Sequence, residues 1–168
     1  MEMTAAAPEL TDRERFTQAA VDHGGAMYRA ARAVLDSDAD AEDAVGEALL
    51  RAWRNWGRLK DPKAVRAWLL KITVNCAYAQ RRKLGRVTVV EDMAPLVGSA
   101  VDRPYEDLWE AVSALPPDHR VAVTLFYYED MTLEQIAGTL GIPVGTVKSR
   151  LDRARKQLRE LLREGEGE

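Results

Sequence analysis

Between Thr132 and Leu151 the chain reads Thr-Leu-Glu-Gln-Ile-Ala-Gly-Thr-Leu-Gly-Ile-Pro-Val-Gly-Thr-Val-Lys-Ser-Arg-Leu, and no other stretch constrains the fold so narrowly. Thr132 with Gln135 three residues on makes a capping box, so a helix starts here. Leu133, Ile136, Ala137 and Leu140 recur at helical spacing and give it one apolar face. Gly141 then stops it, because the left-handed backbone of a helix C-terminus costs a residue with a side chain about 1 kcal/mol or more. Ile142 and Val147 can fill the angle between this helix and the next. That leaves Thr146, Lys148, Ser149, Arg150 and Arg153 on the outer side of the second helix. Arg and Lys read guanine edges in a major groove and Ser or Thr reads either kind of base, so the segment is expected to be a DNA-reading helix-turn-helix.

A chain of 168 residues can bury a real core and has room for one domain or two small ones. Its 46% hydrophobic and 30% charged residues are ordinary for a soluble globular protein, and its prolines sit at element boundaries, so the expected class is all-α. The net charge of −3 argues against nucleic acid only if charge is evenly spread, and it is not. From Arg51 to Arg86 the cations are opposed by Asp61 alone, and a second basic block runs from Lys148 to Arg163. Acids gather in residues 36–47, 91–110 and the tail. Such segregation gives separate positive surfaces for phosphate and a negative one for another partner.

Cys76 is the single cysteine, which excludes an internal disulfide and a cysteine-based zinc site. His23 and His119 have no partner at metal-ligand spacing, so no metal or other cofactor is expected. No phosphate-binding glycine loop, nucleophile elbow or catalytic histidine-carboxylate pattern occurs, and no enzymatic activity is expected. No apolar run approaches the roughly 18 residues of a membrane span, and Met-Glu-Met-Thr lacks a cationic signal start, so a cytoplasmic location without membrane attachment is expected.

Along the chain, the capping box Thr11/Glu14 predicts a first helix that Gly24-Gly25 ends near His23. A second helix then turns Met27, Tyr28, Ala31, Val34 and Leu35 inward. Residues 38–56 read as a third helix with Ala41, Ala44, Val45, Ala48, Leu49, Ala52 and Trp53 on its buried stripe. Gly57 to Asp61 reads as a loop, and Asp61-Pro62 predicts a fourth helix to about Lys83, because Asp caps and proline loses nothing at the first helical position. A domain over 11–84, a flexible linker over 85–103 and a second small helical domain over 104–163 follow. In the second, a helix over 105–115 buries Leu108, Trp109, Val112 and Leu115 and stops at Pro116-Pro117. A helix over 118–129 precedes the helix-turn-helix, whose last helix runs to about Leu162. Spacing puts Trp53, Trp56, Trp68 and Trp109 in the core, with Trp56 alone bordering the loop where a base could stack.

Two separated segments resemble the extracytoplasmic-function (ECF) group of bacterial sigma factors in the sigma-70 superfamily. Asp40-Ala-Glu-Asp-Ala-Val-Gly-Glu-Ala-Leu-Leu-Arg-Ala-Trp53 with Arg66-Ala-Trp-Leu-Leu-Lys-Ile-Thr-Val-Asn75 looks like region 2 of that family. Leu115-Pro-Pro-Asp-His-Arg120 through Pro143-Val-Gly-Thr-Val-Lys-Ser-Arg150 and on to Leu162 looks like region 4. The sequence departs from the family in having Gly46 where glutamine is usual, Leu49 where an aromatic is usual, and Ala79 where aspartate is common. A mid-helix glycine costs about 1 kcal/mol relative to alanine, which weakens the helix carrying it.

The resemblance implies a factor that binds core RNA polymerase, through its β′ clamp and β flap, and directs it to promoter DNA. It implies that Asp40, Glu42, Asp43 and Glu47 dock on the β′ clamp; helix capping and solvation are the other account of these carboxylates, most of all Asp40 and Asp43. It implies that the loop holding Leu59 and Lys60, together with Asn75, captures a base flipped from the minus-10 element, while Arg81, Arg82 and Lys83 hold phosphates. A structural Asn75 and a merely solvated basic helix end are the alternatives. Thr146, Lys148, Ser149, Arg150 and Arg153 would meet the minus-35 element. An anti-sigma factor is a further partner the resemblance allows, and the sequence does not reveal whether one exists. The competing function is a dimeric helix-turn-helix regulator, which leaves the acidic helix and the basic aromatic helix after it without a role.

Overall fold

A computed structural model describes residues 8–86 and 106–165 of the chain. Thr11 opens α1 (Asp12–Val34) with a reciprocal capping box: its hydroxyl accepts from the Glu14 N–H at 3.2 Å, and the Glu14 carboxylate accepts from the Thr11 N–H at 2.9 Å. The helix does not stop at Gly24-Gly25 but runs through both, and the two helices read from the sequence are one. Magnitudes explain the correction. Two helical glycines cost about 2 kcal/mol together, whereas burying Met27 and Val34 further along the same face returns about 3 to 6 kcal/mol.

Ser37 caps α2 (Asp38–Arg54) by accepting from the Asp40 N–H at 3.1 Å. A 3-10 turn at Trp56–Arg58 follows, and the Asp61 carboxylate accepts from the Lys63 N–H at 3.0 Å. The helix expected at Pro62 begins as a 3-10 turn over Pro62–Ala64 and continues as α3 (Val65–Arg86). The rest of the expected linker, 87–103, lies outside the described residues. Among the described residues there is no strand, so the all-α expectation is met.

The C-terminal half contributes α4 (Glu106–Ser113), α5 (Pro117–Val123), a π-helical turn at Thr124–Tyr128, α6 (Leu133–Leu140) and α7 (Val144–Gly165). Pro116-Pro117 separates α4 from α5 as expected. Leu108, expected in the core, is 37% exposed; Val112 and Leu115 are buried as expected, and Ala111 joins them. Trp53 of α2 is a second correction, being 46% exposed, with its ring 5.2 Å from that of Phe16.

Alanines let α1, α2 and α3 approach closely: Ala30, Ala31, Ala41, Ala44, Ala48 and Ala52 are fully buried where these helices pack together. One apolar cluster around Met27, Ala48, Leu69 and Cys76 stays within this half. The larger cluster does not: Val34, Leu70 and Val74 belong to the same core as Val121, Leu125, Ile136, Val147 and Leu151. The two halves therefore pack against each other, α1 on α5 and α3 on α6.

Charged groups are buried at this seam. The Glu129 carboxylate, fully buried, accepts from Arg29 Nε at 2.5 Å and from Arg66 Nη2 at 2.6 Å, and Arg66 Nη1 also donates to the Glu129 carbonyl at 2.6 Å. Arg120 donates to the Ala33 carbonyl at 2.5 Å, to the Ser113 carbonyl at 3.1 Å and to Asp36 at 3.0 Å. Burial pulls the Arg120 guanidinium down from its ordinary pKa, and Asp36 opposes the shift. Tyr78 donates to Asp118 at 3.0 Å across the same seam. Among the described residues no buried side-chain polar atom lacks a hydrogen-bond partner.

Candidate nucleic-acid interface

Local rules build the C-terminal surface. Thr132 and Gln135 form the expected capping box at 2.9 and 3.1 Å, and Gly141 ends α6 at φ +66°, the left-handed conformation its position requires. The Thr146 and Val147 N–H groups bond to the Pro143 carbonyl and start α7. Val147, Leu151 and Ala154 face the core, and Ile142 is half-buried beside them. Their periodicity turns Lys148, Ser149 and Arg153 out to solvent, with Thr146 and Arg150 half-buried. No hydrogen bond or ion pair among the described residues engages Lys148 or Arg153, so both charges are available to a ligand.

Arg150 is different. Burial raises the pKa of the Tyr78 phenol, Asp118 reinforces the shift, and the charges of Arg150 and Arg81 oppose it, so Arg150 lies within electrostatic reach of α3. Arg155, which the sequence did not single out, donates to Tyr127 Oη at 2.6 Å and sits against the Phe126 and Tyr127 rings. Its guanidinium braces the exposed aromatic end of the π turn.

The second surface centres on Asn75, which is exposed and lines an open cleft of about 260 Å³ with Arg51, Asn55, Arg58, Trp68 and Ile72. Trp68 packs on Trp56 and Trp56 on Phe16, at 6.0 and 5.4 Å between ring centroids, which fixes one wall of the cleft. Two guanidinium groups, two carboxamides and an indole in one cleft are suited to a phosphate and an unstacked base. Arg51, Asn55 and Arg58 escaped the sequence reading, although their spacing of four and three residues places them on one side of the chain as α2 ends. Leu59, half-buried, and Lys60, exposed, follow Arg58 but do not line the cleft.

The three cations at the end of α3 divide. Arg81 donates to the Val34 carbonyl at 2.7 Å and reaches Asp36 at 3.5 Å, so it joins α3 to the end of α1. Arg82 and Lys83 are exposed. The acidic residues divide likewise. Asp40 is half-buried, and its carbonyl accepts from Gln80 at 3.0 Å, a structural role. Glu42, Asp43 and Glu47 face solvent, Glu47 pairing with Arg51 at 3.2 Å. Leu50, 55% exposed, continues this acidic face toward Trp53.

Among the described residues no group of acidic, histidine or cysteine side chains could hold a metal, and no helix is long and apolar enough to cross a membrane. The family model for sigma-70 region 2 matches residues 20–87, and that for sigma-70 region 4 matches residues 105–158. RNA polymerase sigma factor SigV of Bacillus subtilis is 32% identical over 141 residues, covering 82% of this chain and 85% of its own. The chain belongs to the ECF sigma factors. It is also 33% identical over 151 residues to ECF RNA polymerase sigma factor SigE of Mycolicibacterium smegmatis, with 83% of this chain aligned but only 58% of that longer one. Among solved structures, the sigma factor RpoE of Bartonella quintana, crystallised with the anti-sigma factor NepR, superposes with a TM-score of 0.73 at 30% identity over 88% of this chain and 96% of that one. Sigma factors are initiation factors for RNA polymerase and not enzymes, which gives this ECF sigma factor a role in transcription initiation and its helix-turn-helix a role in DNA binding.

Proposed function

We propose that this ECF sigma factor docks on core RNA polymerase through the outer face of α2, sets the start of α7 into the major groove of a minus-35 element, and captures an unstacked minus-10 base in the Asn75 cleft. The observation that carries the reading is the separation of two cationic surfaces: Lys148, Ser149 and Arg153 on α7, and Arg51 and Arg58 around Asn75. A regulator with one DNA site needs only the first. Flipping a base costs a few kcal/mol, and a cleft that offers two carboxamides, an indole wall and two guanidinium groups supplies compensating contacts. Glu42, Asp43 and Glu47 form a carboxylate face that suits a cationic protein partner, and the β′ clamp is the partner this family points to. Exposed Arg82 and Lys83 would hold phosphates, and Leu59 and Lys60, which follow Arg58 without lining the cleft, would meet the strand beside it.

The working division is 11–84 for the polymerase and minus-10 functions, 85–103 for the connection and 104–163 for the minus-35 function, with the β flap as partner of the last. The likeness to RpoE in its complex with NepR supports an anti-sigma factor as a partner of this chain too. Transcription from a library of promoters by core polymerase, with and without the purified chain, tests the reading. Transcripts that start downstream of one shared pair of elements only when the chain is present are the expected result; a library transcribed identically in both cases refutes it.

A further inference from the structure

One carboxylate stands among the cations of α7. From Val144 to Arg159 the helix carries Lys148, Arg150, Arg153, Arg155, Lys156 and Arg159, and Asp152 is the single acid in that stretch. Asp152 follows Lys148 by four positions and Ser149 by three, so the three are neighbours on the helix surface, with Arg153 beside them. Its side chain is 75% exposed. A carboxylate in this place is repelled by every phosphate that the cations attract, and it lowers affinity for DNA unless it meets a donor. We propose, resting on the promoter reading above, that Asp152 selects a cytosine in the minus-35 element, with Arg155 and Tyr127 as its positioning residues.

Asp152 is held in one direction. Arg155 Nη1 donates to Asp152 Oδ1 at 3.0 Å, while Arg155 Nε donates to Tyr127 Oη at 2.6 Å. The same guanidinium lies 5.9 and 5.7 Å from the centroids of the Phe126 and Tyr127 rings. An exposed pair three residues apart on a helix adds little stability by itself. Here, however, the arginine is anchored at its far side to the π turn, and its remaining donor fixes where the carboxylate points. One Asp152 oxygen is thereby taken, and among the described residues no hydrogen bond engages the other. The outcome is a single directed acceptor within one helical turn of Lys148 and Ser149.

An ionised carboxylate only accepts, and the base edges of a major groove present two kinds of donor, the N4 amine of cytosine and the N6 amine of adenine. Adenine carries its N7 acceptor next to that amine, which repels a carboxylate, whereas cytosine carries a C–H there. Guanine and thymine show no donor at all. Selection is therefore refusal as much as attraction, since a charge left facing an acceptor disfavours the wrong pair. The guanine paired with the chosen cytosine offers O6 and N7, which suit the neighbouring Lys148 or Arg153. An aspartate is short, so its influence is confined to the pair directly beneath it.

The test presents holoenzyme, assembled from core polymerase and the full chain, with promoters randomised across the minus-35 element, and sequences those retained. The parent should enrich cytosine at one position by about fivefold or more. Asp152→Ala keeps the helix, because alanine is the better helix former; it should flatten that position alone and bind the disfavoured sequences more tightly. Asp152→Asn should move the preference to adenine, whose N6 and N7 match an amide that both donates and accepts. Tyr127→Phe releases Arg155 but keeps the ring, and should weaken the same cytosine preference without changing the base; an unchanged preference there would overturn the positioning role. Parental preferences at every position in Asp152→Ala would overturn the assignment and leave Asp152 a brace for Arg155. So would a loss spread evenly over the element. A parent that retains no shared minus-35 sequence would instead take down the promoter reading, and this assignment with it.

Discussion

Gly24 and Gly25 are adjacent, both helical and neither at positive φ, yet alanine at the two sites should act differently. A Cβ at Gly24 meets nothing within 4 Å, so Gly24→Ala should collect the full helix preference of about 0.8 to 1.0 kcal/mol. For a chain of 168 residues that is a rise of about 2 to 4 °C in Tm. A Cβ at Gly25 lies 3.3 Å from Arg29 Nη1, so the guanidinium must give by a few tenths of an ångström while its Nε holds Glu129 at 2.5 Å. Weakening one charge-assisted bond at a half-exposed arginine costs roughly 1 kcal/mol, which cancels the helix gain and leaves Gly25→Ala near zero. Urea and thermal unfolding of both variants, repeated in a Glu129→Gln background, make a double-mutant cycle. In that background the two alanines should become equal. If Gly25→Ala stabilises the parent as much as Gly24→Ala does, or if their difference survives the loss of the Glu129 charge, the coupling between the α1 backbone and the Arg29–Glu129 pair is wrong.

Replacing Asn75 with alanine should leave helicity intact and polymerase binding unchanged, yet sharply reduce permanganate reactivity of the minus-10 thymines on duplex templates, with recovery on a template mismatched there; equal reactivity to the parent would make Asn75 structural. Asp43→Lys with Glu47→Lys removes one exposed i,i+4 pair worth about 0.3 to 0.5 kcal/mol, so the fold should survive while affinity for core polymerase drops; unchanged affinity removes α2 from the docking surface. Arg150→Ala should cost holoenzyme about 1 to 3 kcal/mol at particular base pairs if it reads a base edge. A uniform loss with the salt slope flattened by about 0.9 would mark a phosphate contact, and an unaltered footprint no contact at all. Burial and the bond to Asp38 push the Tyr28 phenol up from 10.0 to about 12, so the folded state favours its protonated form; the stability it contributes is complete below pH 10 and lost as pH rises to about 12. Tyr28→Phe should show a smaller fall in urea midpoint over that range, and an identical fall would clear Tyr28 of any part in it.

What the sequence announced were the features with local causes. Thr11, Asp61, Thr132 and Gly141 act on backbone groups within a few residues, and each does what its type and place require. The glycine pair misled because its cost is local while the burial that overrules it is not. Periodicity put Trp53 on the buried stripe of α2, but it is the penultimate residue of the helix, where its ring packs on Phe16 and stays 46% exposed. The cleft around Asn75 was half legible: the asparagine followed from the family, whereas Arg51, Asn55 and Arg58 needed the turn after α2 to bring them round. Glu129, Arg120 and their partners were beyond reach, since a charge in a sequence carries no mark of burial and pairs so distant share no period.

The π turn at Thr124–Tyr128 closes with a bond from the Glu129 N–H to the Thr124 carbonyl, five residues back. Relative to an α-helix it holds one surplus residue, and one residue is about 100° of rotation about the axis. The wider turn takes up that rotation: excising one residue and letting the helix close regularly would leave the Glu129 N–H on the Thr124 carbonyl, now four residues back, and the carboxylate in its clasp. The turn is solvent-facing at Tyr127 and Tyr128, where shortening by one residue would pass for harmless. Chain length at this point is thus buffered by the wide turn, whereas the same one-residue deletion in a regular turn of α5 would rotate Glu129 by about 100° away from its arginines.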